Sequence, residues 1–293
     1  MRRLLIGMFI LANAGLAYAG GPGTRGGIIL NYPVGAQAIG MGEAFAAAAN
    51  DVNAIFWNPA GLSLLEHREI NGVVDANCTS VGYAQPIKFG VIGYGISILD
   101  GGEATIYYPE GATKTVRAQS DYMLMLSYAG KIIENLSIGG NLKMVHSELA
   151  EVSQATAFAC DVVGLYRFLA NNLDIGGVIQ NIGSNIKYEE ESDALPLNIK
   201  VGIAYRFNRL LLTMDINKPI ENKLRLNVGA EYQIAEIMVL RAGYKLKQED
   251  NKSGTGLTAG VGFKIRNYQL DYAYVPHQDL GDTHQISLLL SHH

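Results

Sequence analysis

The sequence predicts an all-β protein: a transmembrane antiparallel β-barrel of about fourteen strands with a small N-terminal hatch containing short helices. Three observations carry this expectation. An export signal opens the chain, strictly alternating segments fill most of the remainder, and the composition is short of charge. The expected division is residues 1–19 as signal peptide, 20–69 as hatch and 70–293 as transmembrane barrel.

Arg2 and Arg3 give a positive start, Leu4 to Leu16 form an apolar stretch too short to span a bilayer, and Ala17-Tyr18-Ala19 has the small-x-small cleavage pattern. The mature chain is expected to begin near Gly20. No cysteine stands just after that point, so a lipid anchor is not expected.

Charged residues make up 17% of the chain, against about a quarter in ordinary globular proteins, while glycine (34) and tyrosine (16) are abundant and tryptophan occurs once. A net charge of −4 leaves no basic face for nucleic acid. Cys78 and Cys160 are too few for a disulfide scaffold and are expected as free thiols, although export would allow one bridge. Beyond the signal no apolar run approaches a transmembrane helix, so a membrane would be crossed with strands.

The strands follow from a period of two. In Leu136 to Met144 the residues Leu136, Ile138, Leu142 and Met144 share one face, and Ser137, Gly139, Asn141 and Lys143 the other. Ile199, Val201, Ile203, Tyr205 and Phe207 likewise oppose Lys200, Gly202, Ala204 and Arg206, and the pattern recurs through Tyr268 to Tyr274. A soluble sandwich also alternates. Segments of about ten residues, the length of a tilted membrane strand, favour the barrel. So do Tyr205, Phe207, Tyr232, Tyr244, Phe263, Tyr268 and Tyr274 near the ends of apolar faces, where interfacial girdles lie. The polar face mixes glycine with charges of both signs and is expected to look inward. Turn signals at Glu134-Asn135, Asn208-Arg209 and Arg266-Asn267 alternate with longer polar connections at Gly183 to Ala194 and Gln248 to Thr255.

Gly20 to Glu69 breaks the pattern. Ala44 to Ala49 reads as a helical run, and Asn58-Pro59-Ala60-Gly61 as a turn in which Asn58 caps a short helix that Pro59 opens. A segment of this length ahead of a barrel is expected to fold into the lumen, which side chains alone would fill poorly.

Gly35 to Phe45, with its Gly40-Met41-Gly42, and Asn50 to Leu62, with Phe56-Trp57-Asn58-Pro59-Ala60-Gly61, resemble the N-terminal signature of the PorV/PorQ family, a branch of the FadL-like group. Asn181-Ile182-Gly183, Leu195-Pro196 and Leu240-Arg241-Ala242-Gly243-Tyr244 extend the likeness. The resemblance implies a bacterial outer-membrane barrel of fourteen strands, plugged by its N-terminal hatch and surrounded by outer-membrane lipids. It also implies passive passage of a hydrophobic small molecule or, alternatively, a PorV-like role with secretion-system proteins in type IX secretion. In the second case the loops around Ile106 to Pro109, Tyr188 and Pro276 would meet partners. Residues expected to touch a ligand from the hatch are Phe45, Phe56, Trp57, Asn58, Pro59, Ala60 and Gly61.

Enzymatic chemistry and cofactors are not expected. The six histidines lack metal-ligand spacing before the terminus, and no nucleophile elbow accompanies His146 or His284. Glu189, Glu190, Glu191 and Asp193 read as a solvated loop tip. The lumen charges Lys143, Asp161, Lys200, Arg206, Asp215, Arg225, Glu231, Arg241, Lys264 and Asp271 are expected to pair with one another or to guide a substrate carboxylate.

Overall fold

A computed structural model describes residues 27–107, 113–168, 172–188, 191–220, 222–246, 256–276 and 282–292. The export signal, the tip of the acidic loop at 189–190 and the connection 247–255 lie outside the described residues.

Fourteen antiparallel strands close on themselves: β1 (Arg68–Val74), β2 (Cys78–Ile87), β3 (Gly90–Asp100), β6 (Gln119–Ile133), β7 (Leu136–Leu149), β8 (Ser153–Phe168), β9 (Leu173–Gly183), β12 (Asn198–Phe207), β13 (Leu210–Pro219), β14 (Arg225–Ala235), β15 (Met238–Leu246), β16 (Leu257–Ile265), β17 (Tyr268–Val275) and β18 (Thr283–His292), which pairs back onto β1. Closure removes the open edges that a sheet cannot present to hydrocarbon. Two hairpins stand outside the wall, β4 (Glu103–Tyr107) with β5 (Thr113–Arg117), and β10 (Ile186–Tyr188) with β11 (Glu191–Asp193). Both hairpins belong to the end opposite the short turns 88–89, 134–135, 208–209, 236–237 and 266–267. Asn208 (φ 53°) and Arg266 (φ 54°) take the left-handed backbone that such tight turns use.

Alternation places the polar face inside. Asp161 and Asp271 are 3% and 2% exposed, whereas Leu142 and Phe158 on the outer face are 64% and 62% exposed. A one-residue slip would invert every such assignment, so the pattern pins the register. Opposite charges meet in the lumen as expected: Lys143 with Asp161 at 2.8 Å, Arg241 with Glu231 at 2.7 Å and Asp271 at 2.6 Å, and Arg206 with Asp174. Tyr205, Phe207, Tyr232, Phe263 and Tyr268 stand exposed on the outer wall. Cys78 is buried, Cys160 half-buried, and both are free thiols.

Gly27 to Leu65 lies within the barrel and supplies much of its core, including Phe45, Ile55, Trp57 and Leu62. Its regular elements are short: helices Ala36–Gly40 and Ala54–Trp57, and 3-10 turns Ile28–Asn31 and Pro59–Leu64. Asn58 caps the last, its side-chain oxygen accepting from Ala60 N, with Pro59 at the first position. The expected helix over Ala44 to Ala49 is absent; this stretch is irregular, with a turn at Ala46 to Ala48. The backbone there bonds to its surroundings instead. Phe45 N and Ala46 N both donate to Asp215 Oδ2 at 2.9 Å, and Asn58 Nδ2 donates to Ala46 O at 2.6 Å. These tertiary bonds override alanine's helical propensity, which is worth only tenths of a kcal/mol per residue. The alanines serve as small spacers: a methyl carbon on Gly176 of β9 would overlap the Ala46 carbonyl.

Candidate functional site

The inner segment separates two cavities. One, of about 360 Å³, lies at the short-turn end among Asp51, Glu69, Arg209, Glu231, Lys264 and Arg266. The other, of about 390 Å³, lies at the loop end, and its character differs. Ile28, Leu30, Tyr32, Val34, Phe56 and Trp57 of the inner segment form its apolar side. The barrel wall supplies Lys200 and Asn198 from β12, Asn217 from β13 and Arg225 from β14, while Pro196 and Leu197 form a rim leading into β12.

Trp57 is fixed from two sides. Its indole N–H donates to Val34 O at 2.7 Å, and Phe45 meets it edge-on with ring centroids 6.1 Å apart. The Lys200 ammonium stands over the indole at 5.0 Å, a cation–π contact. Glu43 also lines this cavity and is bonded to Lys245 at 2.7 Å. Burial opposes its ionisation, but Lys245, Lys200 and Arg225 outweigh that and hold the Glu43 carboxyl below its ordinary value. Asn198 is 5% exposed, and its Oδ1 has no hydrogen-bond partner among the described residues; nor has Asn217 Oδ1. Burial, then the adjacent Asp75 carboxylate that accepts its hydroxyl at 3.0 Å, raise the pKa of Tyr32 well above the usual phenol range.

At the other cavity, Asp51 accepts from Asn53 N at 2.8 Å, and the next backbone amide, Val52 N, donates to Glu69 Oε2 at 2.9 Å. Burial, reinforced by the Glu69 charge, pushes the Asp51 carboxyl up to about 7.

Of the residues expected to touch ligand, Phe56 and Trp57 line the loop-end cavity. Phe45, Asn58, Pro59, Ala60 and Gly61 are buried beneath it, where Asn58 bonds the inner segment to itself and, at 3.3 Å, to Gly164 O of β8. His146 lies 3.0 Å from Thr156 Oγ1 and His284 2.7 Å from the Tyr272 hydroxyl, so each has a partner other than serine. Sequence alone shows neither that Lys200 sits on Trp57 nor that Pro196-Leu197 borders the cavity. The lone lysine on the inward face of β12 is the available signal for the first. Tyr188 is half-buried against Ile186 and the alanines of β8, and Tyr108 and Pro109 lie outside the described residues.

Three solved structures share this architecture across most of both chains. The toluene transporter TbuX of Ralstonia pickettii is 15% identical, covers 88% of this chain and 97% of its own, and superposes with a TM-score of 0.65. The hydrocarbon channel CymD is 13% identical (89% and 98% covered, TM-score 0.63), and a FadL homologue of Pseudomonas aeruginosa is 13% identical (89% and 99%, TM-score 0.61). At such identity the likeness is one of fold alone. No curated protein matches the chain in sequence. Residues 27–291 match the profile of an uncharacterised protein family, UPF0164, and the chain belongs to that family.

Proposed function

We propose that this protein is an outer-membrane barrel, near the PorV/PorQ branch of the FadL-like group, that passes hydrophobic small molecules passively, with Gly27 to Leu65 as its hatch. The observation that carries the reading is the loop-end cavity, whose hatch side is apolar apart from Glu43 and whose wall side carries Lys200 and Arg225. An outer wall studded with exposed leucine, isoleucine and tyrosine supports a hydrocarbon surround, and the N-terminal export pattern supports the outer membrane. The neighbouring folds include a toluene transporter and a monoaromatic hydrocarbon channel, which supports an apolar cargo.

The cargo's apolar body lies against Leu30, Phe56 and Trp57, and a carboxylate end reaches Lys200 and Arg225. Burying roughly 200 Å² of apolar surface contributes about 5 kcal/mol before the costs of immobilisation. A charge-assisted bond adds about 1.5–3 kcal/mol, enough for tenfold selectivity over a hydrocarbon of equal size. Passage onward requires the hatch to shift, since its backbone fills the lumen between the two cavities.

Equilibrium dialysis of decanoate and of toluene against the detergent-solubilised protein tests this. Decanoate is expected to bind, and to weaken about tenfold in Lys200→Gln/Arg225→Gln while toluene is unaffected. Absence of binding by both ligands, or decanoate binding indifferent to the double substitution, overturns the reading.

A further inference from the structure

A buried polar chain joins the rim of the loop-end cavity to the helix beneath it. Asn141 Nδ2 on β7 donates to Ile55 O at 2.9 Å, at the residue just before Phe56 and Trp57, and to Asp161 Oδ2 on β8 at 2.8 Å. Asp161 pairs with Lys143 at 2.8 Å, and Lys143 Nζ donates to Asn181 Oδ1 at 2.9 Å. Asn181 Nδ2 closes the chain by donating to Pro196 O at 3.0 Å. All four side chains lie within the protein, 2% to 6% exposed.

The wall is built irregularly here. Between β8 and β9 the register shifts: Cys160 faces Ile182, while Val162 faces Ile179, leaving Gln180 and Asn181 opposite Asp161. Asn181 takes φ 64°, a left-handed conformation that asparagine tolerates, and its backbone N–H donates to Asp161 Oδ1 at 2.9 Å rather than to a strand partner. The bulge turns the Asn181 amide so that one end meets Lys143 and the other Pro196. β12 pairs with β9 only up to Gln180, so beyond this point Leu195-Pro196-Leu197 takes the neighbouring place. Leu195 is buried against Ala155, Ala157, Ala159 and Ile186, with Leu30 of the inner segment packed alongside.

A buried ion pair loses most of its Coulombic gain to desolvation, and an apolar pair of like volume is often as stable. Its value here lies in geometry. We propose that Asn141, Asp161, Lys143 and Asn181 are positioning residues that couple the Pro196 rim to the hatch helix, so that cargo entering between Leu197 and Trp57 strains both ends of one network and loosens Ile55. This rests on the transport reading for its purpose, but the coupling itself is a property of the empty protein and is measured without cargo.

Hydrogen exchange of the detergent-solubilised full chain, read by mass spectrometry, tests it. Asn181→Gly keeps the left-handed backbone and removes the amide; exchange at the far end, in Ala54 to Trp57, is expected to rise about tenfold. Coupling free energies are reciprocal, so Asn141→Leu is expected to raise exchange at Leu197. Lys245→Met, which breaks a hatch contact outside the network, is expected to leave Leu197 unchanged. If either network variant alters only its own end, or if Lys245→Met loosens Leu197 equally, the coupling is overturned. Should Asn181→Gly fail to assemble, Lys143→Met/Asp161→Leu, which preserves volume, is read against the same two outcomes.

Discussion

Where the inner segment faces β13 to β18, its backbone is bonded to buried side chains: Phe45 and Ala46 to Asp215, Gly42 to Thr258 at 3.0 Å, Gly35 to Gln285 at 2.7 Å and Ala36 to Ser287 at 2.8 Å. Where it faces β2, β3 and β6, Val52, Ile55, Phe56 and Leu62 rest against Gly82, Gly93 and Gly95, with Met123 and Met125 nearby. The first side fixes orientation and register, because each hydrogen bond has one partner and one direction. The second is apolar and tolerant, since dispersion contacts survive small displacements and methionine adapts its shape. A hatch held in this way is anchored by many directional bonds along one wall and, apart from the bonds of Ile55 O to Asn141 and Val52 N to Glu69, rests on apolar contacts along the other.

Asp215→Ala should have the largest effect, because it strands two buried amides at once. The expected loss is about 2–5 kcal/mol of local stability, seen as faster hydrogen exchange at Phe45 and Ala46, with the barrel intact. On the apolar side Ile55→Val removes one methylene and should cost about 1 kcal/mol by the same measurement. An equal cost for the two changes would erase the contrast between the walls.

A pH dependence follows from Asp51, which belongs to neither wall. Its pKa in the folded protein, about 7, lies above the ordinary carboxylate value, so the folded hatch holds a proton that the released one gives up. Docking should therefore be tightest at low pH and weaken as pH rises toward about 7, staying level above it. Asp51→Asn should flatten most of this slope and, at pH 8, dock more tightly than the parent; exchange at Val52 and Asn53 measured from pH 5 to 8 would decide. The smallest effect is expected from Lys245→Met, whose bond to Glu43 is only about three-quarters buried and should be worth less than about 1 kcal/mol.

Much of this architecture is legible in the sequence, and the reasons are physical. The fourteen strands follow from a side-chain period of two, which a closed wall between hydrocarbon and a polar lumen enforces along its whole length. Phe56 and Trp57 stand out as large apolar residues beside a capped turn. The helix expected over Ala44 to Ala49 does not form because composition reports propensity, whereas Asp215, some 170 residues away, claims the amides. The hairpins β4–β5 and β10–β11 read as loops, being too short to show a period. The Asn181 network is hidden for a related reason: a bulge is a break in alternation, and its partners Lys143 and Pro196 come from separate parts of the chain.

Trp57 is the only tryptophan in the sequence and lines the loop-end cavity, so its fluorescence reports directly on cargo bound there. On titrating decanoate into the solubilised protein, Trp57 emission is expected to change saturably, with the affinity weakened about tenfold by Lys200→Gln/Arg225→Gln. Emission that stays constant while ligand demonstrably binds would place the cargo elsewhere and contradict this expectation.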